Sequence, residues 1–489
     1  MTVEAVVSAQ TVYQQAGSDE YLFPAMCKTE AGDFLMVARR ATGHSAGDGA
    51  LLLHTSATGL AGSWSAGSVL WDPSGRDARA GLPRLLDDGR VVVAAWSGSS
   101  SVSAPYVTTT LVSTDETCSA WVQGGDLPDQ LGGGAAWAGN ACESPVVVIP
   151  DGTWLLATYG PEMNGDSAWS SLLYESSDEG ATWTFKTFIA RAPLTTPRFG
   201  TPNYEEPFLL HISSYELICA VRCGESGWDG SVGRYTRIFR STDAGATWAD
   251  EGRVNSTHQH ASRMALCRNP LTGTIMLHHR LLYTSGGVAW SGHGAYYWSD
   301  DDGGSWSSGT GLDSEAAPPS NPTSPPMYSY GDIVAHDGGF AALWADETPI
   351  SGSGSAIRFA TYSDDAPLLP TPAEGYGNTV SSGYGAATAY TPQPASITVD
   401  PASTAWEQID TNIIVRVTSA PSTVTATVYS GAGGLLRLRG TNADLFDVSL
   451  DGTTWASAID VDAGESEVHL RVTPEAPGTT LAAEIGVPV

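Results

Sequence analysis

Short apolar runs separated by turn residues recur along the first three quarters of the chain. The clearest example reads Ser-Pro-Val-Val-Val-Ile-Pro-Asp-Gly-Thr-Trp-Leu-Leu-Ala-Thr-Tyr over residues 144–159. An Asp-Gly pair between two apolar runs is typical of a tight β-hairpin, and Asp88-Gly89 predicts a second one. The pattern therefore predicts a chain built from short β-strands joined by tight turns.

A polar motif divides these strands into units. The motif Ser-x-Asp-x-Gly-x-Thr/Ser-Trp begins at Ser176, Ser241 and Ser299, and weaker copies begin at Thr55, Ser113 and Ser363. The steps between copies are 58, 63, 65, 58 and 64 residues. Because one four-stranded sheet cannot bury both of its faces alone, six such units predict a β-propeller. The sixth unit ends early, and we expect residues 4–13 to supply its outer strand.

The composition changes after residue 366. Residues 367–395 are rich in Pro, Gly, Tyr and Thr and lack a periodic apolar pattern, which indicates a linker. Residues 396–489 return to alternating strands at the spacing of an immunoglobulin-like sandwich. The predicted fold class is therefore all-β, with a six-bladed β-propeller over residues 1–366 followed by a small β-sandwich domain.

Charge and hydropathy exclude several classes of partner. The chain has 53 Asp and Glu against 23 Lys and Arg, a formal net charge of −30. Nucleic acids and anionic membranes attract basic surfaces, so neither is expected as a partner. No apolar run reaches the roughly 18 to 20 residues that span a bilayer. The amino terminus also lacks the pattern of a secretory signal, so export by the general route is not expected.

The cysteines do not suggest a metal or a redox centre. The six are Cys27, Cys118, Cys142, Cys219, Cys223 and Cys267. None forms a C-x-x-C pair, so we expect buried thiols and no zinc site. Scattered Asp residues would suit Ca²⁺, but no ligand spacing supports such a site. No cofactor is expected.

The repeated motif resembles the Asp box, or BNR repeat, of sialidases, and the resemblance covers about residues 2–366. In such a box the Asp and Ser side chains bond turn backbone, the Gly adopts a left-handed conformation and the Trp packs between sheets. The boxes of that family are structural and lie opposite the active site. The resemblance therefore implies a structural role for Asp115, Asp178, Asp243 and Asp301.

The other face of such a propeller collects the starts of first strands, the ends of second strands and the loops that follow. These positions are rich in carboxylates, Arg and Trp. Trp rings stack on sugar C–H faces and charged groups bind hydroxyls, so the set predicts carbohydrate binding. The candidate substrate-binding residues are Glu143, Glu205, Trp169, Trp228, Trp290, Arg39, Arg40, Arg280 and His260.

The resemblance also implies catalytic roles. Glu206 opens a hairpin that Arg222 closes sixteen residues later, as in sialidases. The segment Tyr330-Gly-Asp-Ile resembles the one that carries the Tyr nucleophile, with Tyr328 as the alternative register. Asp48 lies in the loop that carries the acid/base Asp.

Two of the three arginines that hold the sialic acid carboxylate are missing at the expected positions. Leu22 stands in place of the first, and the segment from Trp290 to His293 stands in place of the third. The departures argue against a true sialidase. Together with the negative charge balance, they favour a neutral or basic sugar.

The sequence predicts recognition of a host glycan. The alternative is exo-glycosidase activity through Tyr330 or Tyr328, Glu206, Asp48 and Arg222. A propeller joined to an immunoglobulin-like sandwich, without a secretion signal, resembles bacteriophage tail proteins. This resemblance implies a virion-associated protein that binds carbohydrate on a cell surface and contacts other virion structural proteins through its C-terminal domain. A bacterial cytoplasmic or non-classically exported hydrolase is the alternative, and a homo-oligomer is left open.

Overall fold

The computed structural model is all-β. Among the residues it describes there is no helix, and so none that could cross a membrane. The described residues are 3–14, 19–43, 46–99, 103–128, 130–131, 135–136, 140–161, 168–193, 202–213, 215–228, 231–254, 259–260, 263–270, 272–285, 288–307, 310–311, 328–336, 339–346, 356–364, 390–394, 396–399, 406–410, 413–416, 422–430, 434–440, 446–450, 458–461, 464–472 and 480–488.

Six sheets follow one another along the chain as the blades of a β-propeller, which confirms the predicted fold class for this part. The first strand, β1 (Val3–Gln14), belongs to the last blade. Blade 1 contains β2 (Glu20–Lys28), β3 (Phe34–Ala41), β4 (Ala50–Ser56) and β5 (Ser68–Trp71). Blade 2 contains β6 (Asp77–Leu85), β7 (Val91–Ser99), β8 (Ser103–Ser113) and β9 (Trp121–Gln123).

The remaining blades follow the same antiparallel order. A small hairpin of β10 (Gln130–Leu131) and β11 (Ala135–Ala136) precedes blade 3, which contains β12 (Val147–Val148), β13 (Trp154–Pro161), β14 (Trp169–Ser176) and β15 (Thr184–Ala190). Blade 4 contains β16 (Asn203–Ser213), β17 (Glu216–Trp228), β18 (Ser231–Ser241) and β19 (Ala249–Arg253). Blade 5 contains β20 (Gln259–His260), β21 (Ala265–Arg268), β22 (Ile275–Ser285), β23 (Val288–Ser299) and β24 (Thr310–Gly311). Blade 6 contains β25 (Tyr328–His336), β26 (Gly339–Asp346) and β27 (Ala356–Asp364).

The amino-terminal strand closes the ring. Strand β1 pairs antiparallel with β27, from Val3 opposite Asp364 to Gln14 opposite Ala356. This confirms the expectation that the start of the chain supplies the outer strand of the sixth unit. Val12 is buried in a cluster that also contains Phe34 of blade 1 and Phe359 of blade 6. The closure therefore joins the two ends of the propeller by backbone hydrogen bonds and by apolar packing.

The repeated turn has the same hydrogen bonds in its three clearest copies. In the first copy, Asp178 accepts from Thr182 N at 2.8 Å, from Thr182 Oγ1 at 2.7 Å and from Ser176 Oγ at 2.8 Å. Gly180 N donates to Ser176 Oγ at 2.9 Å, and Gly180 adopts a φ of 80° that suits glycine. Asp243 and Asp301 make the equivalent bonds. The turns follow β14, β18 and β23 and lead toward the outer strands β15, β19 and β24.

Apolar side chains fill the space between neighbouring blades. Leu35 and Val37 of blade 1 pack with Val91 and Val93 of blade 2, and all four are fully buried. Each such side chain contributes about 1.5 to 3 kcal/mol relative to its exposed state. All six cysteines are free and buried, as the sequence predicts. The blades are therefore held to one another mainly by alternating side chains of their facing sheets.

The strands after residue 389 pair into two antiparallel sheets. One contains β28 (Tyr390–Pro394), β30 (Trp406–Asp410), β31 (Ile413–Arg416), β33 (Gly434–Gly440), β35 (Ala458–Val461) and β37 (Thr480–Pro488). The other contains β29 (Ser396–Val399), β32 (Ser422–Ser430), β34 (Phe446–Ser449) and β36 (Gly464–Val472). The sandwich arrangement of this region and its use as an attachment domain stay predictions. Most of the predicted linker, residues 367–389, lies outside the described residues.

Replacing Val12 by Asp should open the ring closure. Val12 is 7% exposed, and an unpaired carboxylate there would lose its hydration without gaining a partner. We expect Val12→Asp to lower the free energy of unfolding by about 3 kcal/mol or more. The matched control is Val69→Asp, at a position of β5 that is 59% exposed. Urea unfolding followed by tryptophan fluorescence measures both, and equal midpoints for the two variants would contradict a stabilising role for β1.

Candidate functional site

The two ends of the ring differ in character. Arg90, beside the hairpin turn of blade 2, pairs with Glu179 of the repeated turn in blade 3 at 2.8 Å, so these turns gather at one end. Because strands alternate in direction, the first strands of the blades begin at the opposite end. A group of charged and hydroxyl side chains meets there, which we call the central cluster: Arg39, Asp77, Arg79, Glu143, Glu205, Glu206, Arg222, Arg263 and Tyr330.

Three of the predicted catalytic residues contact one another within the central cluster: Tyr330, Glu206 and Arg222. The Tyr330 hydroxyl donates to Glu206 Oε1 at 2.6 Å. Arg222 Nη1 lies 2.9 Å from Glu206 Oε2, and Arg222 Nη2 pairs with Glu205. Glu206 and Arg222 are buried, whereas Tyr330 is half-buried. The fold therefore brings together four of the predicted site residues from blades 4 and 6, although their chemical roles stay predictions.

The backbone at Glu206 is unusual. Its φ of 47° lies in the left-handed region, and the pairing of β16 with β17 shifts between Glu205 and Phe208. A left-handed conformation costs a non-glycine residue about 1 to 3 kcal/mol and is found where a fold aims a functional side chain. Phe23, before Pro24 in blade 1, has the same feature, with a φ of 51°. Both residues point toward Tyr330, since the Phe23 ring lies 4.5 Å from the Tyr330 ring.

Burial sets the protonation of the Tyr330 and Glu206 pair. Burial raises the pKa of Glu206 to about 7, although the positive charge of Arg222 lowers it. The carboxylates of Glu143 and Glu205 add to the rise. Burial also raises the pKa of the Tyr330 phenol well above its ordinary value, and the charge of Glu206 adds to this. A carboxylate that titrates near neutrality is a stronger base than an ordinary Glu. Glu206 is therefore suited to accept the phenolic proton.

Glu143 is held by a second ion pair. Its Oε2 lies 2.9 Å from Arg263 Nη1, and Trp96 Nε1 donates to its Oε1 at 3.2 Å. Arg263 is fully buried and also donates to the carbonyl oxygens of Pro24 at 3.0 Å and Gly331 at 2.9 Å. Burial raises the pKa of Glu143, although Arg263 opposes the rise. One guanidinium thus links the first strands of blades 1 and 6 with Glu143 at the start of blade 3.

Arg39 and Asp77 hold the loop that carries Asp48. The Arg39 guanidinium is fully buried and donates to Asp77 Oδ1 at 2.8 Å and to the carbonyl oxygens of Gly43 and Ala46. Asp77 Oδ1 also accepts from Gly49 N at 2.9 Å. The guanidinium of Arg39 is engaged by groups of its own protein, and its predicted role in substrate binding stays a prediction. Its visible effect is to fasten the loop between β3 and β4.

Asp48 itself is exposed, two residues before β4 begins. The Thr42 hydroxyl donates to its Oδ2 at 2.7 Å. Slight burial acts to raise the pKa of Asp48, but these bonds from Thr42 outweigh it and hold the pKa below its ordinary value. Asp48 is therefore ionised at neutral pH when no ligand covers it. A role as proton donor would require the bound ligand to desolvate it, because burial in a drier site raises the pKa of a carboxyl group.

Aromatic rings line one side of the central cluster. Trp96 lies 5.3 Å from Tyr106, Tyr106 lies 6.4 Å from Trp169, and Trp169 lies 5.3 Å from Tyr159, measured between ring centroids. We call these four residues the aromatic row. Trp169 is half-buried, and its backbone N donates to Asn203 Oδ1 at 2.6 Å. The row comes from blades 2 and 3. Trp96, Tyr106 and Tyr159 are buried, so the half-buried Trp169 ring is the part of the row that can offer apolar surface to a sugar.

The other predicted site residues lie in several places. Arg40 is half-buried, and its Nε lies 3.9 Å from Asp19 Oδ2. The backbones of the remaining five lie in described strands, but their side chains lie outside the described residues: Trp228, His260, Arg280, Trp290 and Tyr328. Their roles stay predictions.

Four residues at the site are absent from the set predicted from the sequence: Asp77, Arg79, Arg263 and Phe23. Asp77 and Arg79 stand at the start of the first strand in blade 2, where Arg79 Nη1 lies 3.2 Å from Asp77 Oδ2. Listing the first-strand starts of every unit would have found Asp77 and Arg79, whereas Phe23 carries no polar signal. The described residues contain no group of three or more His, Cys, Asp or Glu that could hold a metal ion.

Gly49 should be the most sensitive position of the Asp48 loop. A Cβ at Gly49 would clash with Ala78 O, Arg39 Nε and Asp77 Oδ1, whereas a Cβ at Gly43 would meet nothing within 4 Å. We expect Gly49→Ala to destabilise the protein by about 1 to 3 kcal/mol and to speed hydrogen exchange in residues 46–49. The control Gly43→Ala should stay within about 0.5 kcal/mol of the unsubstituted protein. Similar exchange rates for both variants would refute the fastening role of Arg39 and Asp77.

Comparison with known proteins gives the same architecture. No protein-family model and no curated protein matches the chain. A protein of unknown function from Dyadobacter fermentans matches with a TM-score of 0.58 and 14% identity, over 74% of this chain and 99% of that one. Trypanosoma rangeli sialidase matches with a TM-score of 0.52 and 12% identity, over 100% and 96%.

A third structure extends the comparison beyond sialidases. The GH93 α-L-arabinofuranosidase of Fusarium graminearum, in complex with arabinobiose, matches with a TM-score of 0.50 and 13% identity, over 72% of this chain and 97% of that one. At identities this low the similarity establishes the fold alone. The chain thus has a six-bladed β-propeller whose structural neighbours include sialidases and this arabinofuranosidase.

Proposed function

We propose that the protein is an exo-acting glycoside hydrolase in which Tyr330 and Glu206 form the reaction centre. The observation that carries the proposal is the 2.6 Å hydrogen bond from the Tyr330 hydroxyl to Glu206, whose other carboxylate oxygen faces Arg222. A phenol, a base within hydrogen-bond reach and a cation that orients the base form an activated nucleophile. The glycosidase-like propeller and the half-buried Trp169 ring support a sugar as the substrate.

The reaction follows from this geometry. Tyr330 Oη attacks the anomeric carbon while its proton passes to Glu206, and the bond from that carbon to the leaving oxygen breaks. A second acid gives the leaving oxygen its proton. Water then attacks the anomeric carbon of the glycosyl-tyrosine and gives a proton to that acid, and Glu206 returns the phenolic proton. Two displacements at one carbon retain its configuration.

Two carboxyl groups are candidates for the second acid. Asp48 stands in the loop that Arg39 fastens, and it is exposed until a ligand covers it. Glu143 is buried and has a raised pKa, but it is ion-paired with Arg263. An aryl glycoside with a good leaving group needs no acid in the first step. We therefore compare Asp48→Asn with Glu143→Gln on substrates with poor and good leaving groups. The acid is the residue whose variant loses activity on the poor leaving group and regains it on the good one.

A carbohydrate on a cell surface is the partner that this activity implies. A place in a phage tail, with the C-terminal strands contacting other virion proteins, also remains a proposal that rests on the sequence resemblance. Binding to whole cells that a free oligosaccharide competes away would support the cell-surface carbohydrate as the partner. Antibody labelling of purified virions that decorates no part of the particle would contradict a place in the phage tail.

Tyr330→Phe and Glu206→Gln should each abolish most of the hydrolysis. Removal of an activated nucleophile or its base lowers kcat by roughly 10² to 10⁴-fold. Tyr204→Phe is the control, because Tyr204 lies in the same strand as Glu206 but packs against Phe239. Release of 4-nitrophenol from a panel of aryl glycosides measures all three. Full activity in Tyr330→Phe, with the fold intact by circular dichroism, would reject the proposed nucleophile.

The rate should fall as the pH drops through about 7. Glu206 must be ionised to accept the proton of Tyr330, and its pKa is raised to about 7 by burial. The acidic limb of kcat/KM, which reports the free enzyme, should therefore lie near pH 7 rather than near 4.5. Substitution of the nearby Glu205 by Gln removes a like charge and should shift this limb to lower pH. A limb that stays in place in Glu205→Gln would show that another group controls the rate.

A further inference from the structure

The four described arginines of the central cluster all bind carboxylates of the protein itself. Arg39 lies 2.8 Å from Asp77, and Arg79 lies 3.2 Å from the other oxygen of the same carboxylate. On the opposite side, Arg222 pairs with both Glu205 and Glu206. Arg263 pairs with Glu143. The side chains of these arginines are at most 9% exposed, so their guanidinium groups are directed into the protein.

We infer that the sugar bound at Tyr330 is uncharged, that is, a glycoside without a carboxylate. This inference rests on the proposed function and adds the chemical class of the substrate. A site for an anionic sugar needs a guanidinium fork that is open to the ligand, because bidentate Arg contacts are what hold a carboxylate in a dry pocket. In the central cluster those forks are engaged by Asp77, Glu143, Glu205 and Glu206.

The charge balance of the cluster supports the same conclusion. Four guanidinium groups face the four carboxylates of the paired acids, and Asp332 adds a fifth buried carboxyl group that accepts from Met26 N at 2.9 Å. No positive charge is left over within this set. A ligand carboxylate placed beside it would lose its hydration without gaining a counter-charge, and such an uncompensated charge is expensive in a buried site.

A charged ligand would also interfere with the chemistry. A further negative charge, in addition to those of Glu143 and Glu205, favours the protonated form of Glu206. Protonated Glu206 cannot accept the proton of Tyr330. A substrate without a negative charge therefore leaves a larger fraction of Glu206 ionised at neutral pH.

The apolar side of the site provides a positive reason for a neutral sugar. The Phe23 ring contacts the Tyr330 ring edge-on. The aromatic row adds a half-buried Trp169 ring. Aromatic faces bind the C–H surfaces of sugar rings. Hydroxyl groups need only hydrogen bonds, which a cluster of paired charges can still provide at its edges.

Matched pairs of substrates test the inference. Each pair contains a 4-nitrophenyl glycoside and its uronide, for example the galactoside and the galacturonide in both anomers, and the panel includes 4-nitrophenyl α-L-arabinofuranoside and a sialoside. We expect kcat/KM for a neutral member to exceed that for its charged partner by about 100-fold or more. Turnover of a uronide or the sialoside that equals or exceeds turnover of the neutral glycosides would overturn the inference.

Binding separates this result from a failure of the proposed function. Titration calorimetry with galactose, arabinose, galacturonate and sialic acid needs no turnover. Saturable binding of a neutral sugar, without hydrolysis of any glycoside, would reject the enzyme and retain the substrate class. Tighter binding of either sugar acid than of both neutral sugars would overturn the substrate class, whether or not any glycoside is hydrolysed.

A gain-of-specificity variant adds an independent readout. Glu205→Gln removes a carboxylate that competes for Arg222, so the ratio of charged to neutral turnover should rise by about tenfold. Glu175→Gln is the matched control, because Glu175 pairs with Lys186 on an outer part of blade 3. An unchanged ratio in Glu205→Gln would show that the protein's own carboxylates do not set the selectivity.

Discussion

The geometry of the site depends on one buried guanidinium. Arg263 of blade 5 is fully buried and binds Glu143 of blade 3 together with backbone oxygens of blades 1 and 6. Loss of one partner from a buried ion pair typically costs about 3 to 5 kcal/mol. The strands that carry Phe23 and Tyr330 are both fastened to this group. The relative placement of the side chains in the central cluster is therefore a property of the whole ring rather than of any single blade.

The blades could be predicted from the sequence because their determinants are local. The bonds within the turn at Asp178 span at most four residues, so a short motif specifies them and its spacing reveals the repeat. The ring closure could also be inferred, since the sixth unit lacked a strand and the first residues had none to pair with. The hydrogen-bond partners in the turns are close in sequence. The partner of β1 is implied because the sixth blade is one strand short.

The central cluster was predicted less completely because its contacts are long-range. Tyr330 and Glu206 are 124 residues apart, and Arg263 and Glu143 are 120 residues apart. A sequence pattern identified Glu206 and Arg222 as candidates, but it could not show that Arg39 faces Asp77. Phe23 is apolar and carries no signal of its own. Ion pairs between residues that are far apart in sequence decide which arginines can reach a ligand. Such pairs produce no periodic pattern in the sequence.

The raised pKa of Glu206 has a cost for stability. Its folded-state pKa of about 7 lies above the ordinary value of a Glu side chain, so the folded state binds the proton more tightly than the unfolded state. The contribution of this group to stability is therefore fully present below about pH 4.5 and is lost as the pH rises through about 7. At neutral pH the protein holds an ionised carboxylate in a place that disfavours it. Arg222 and the surrounding packing offset this penalty.

The pairing of β1 with β27 has a consequence for biosynthesis. Val3 pairs with Asp364, so β1 must wait until about 360 further residues have been translated. At roughly 5 to 20 residues per second, that delay is about 20 to 70 s. During this time the edge of β1 is unpaired while the intervening blades emerge and pack, and such long-range pairing is intrinsically slow. Completion of the ring is thus a late event in synthesis, and the nascent chain depends on β1 staying available until then.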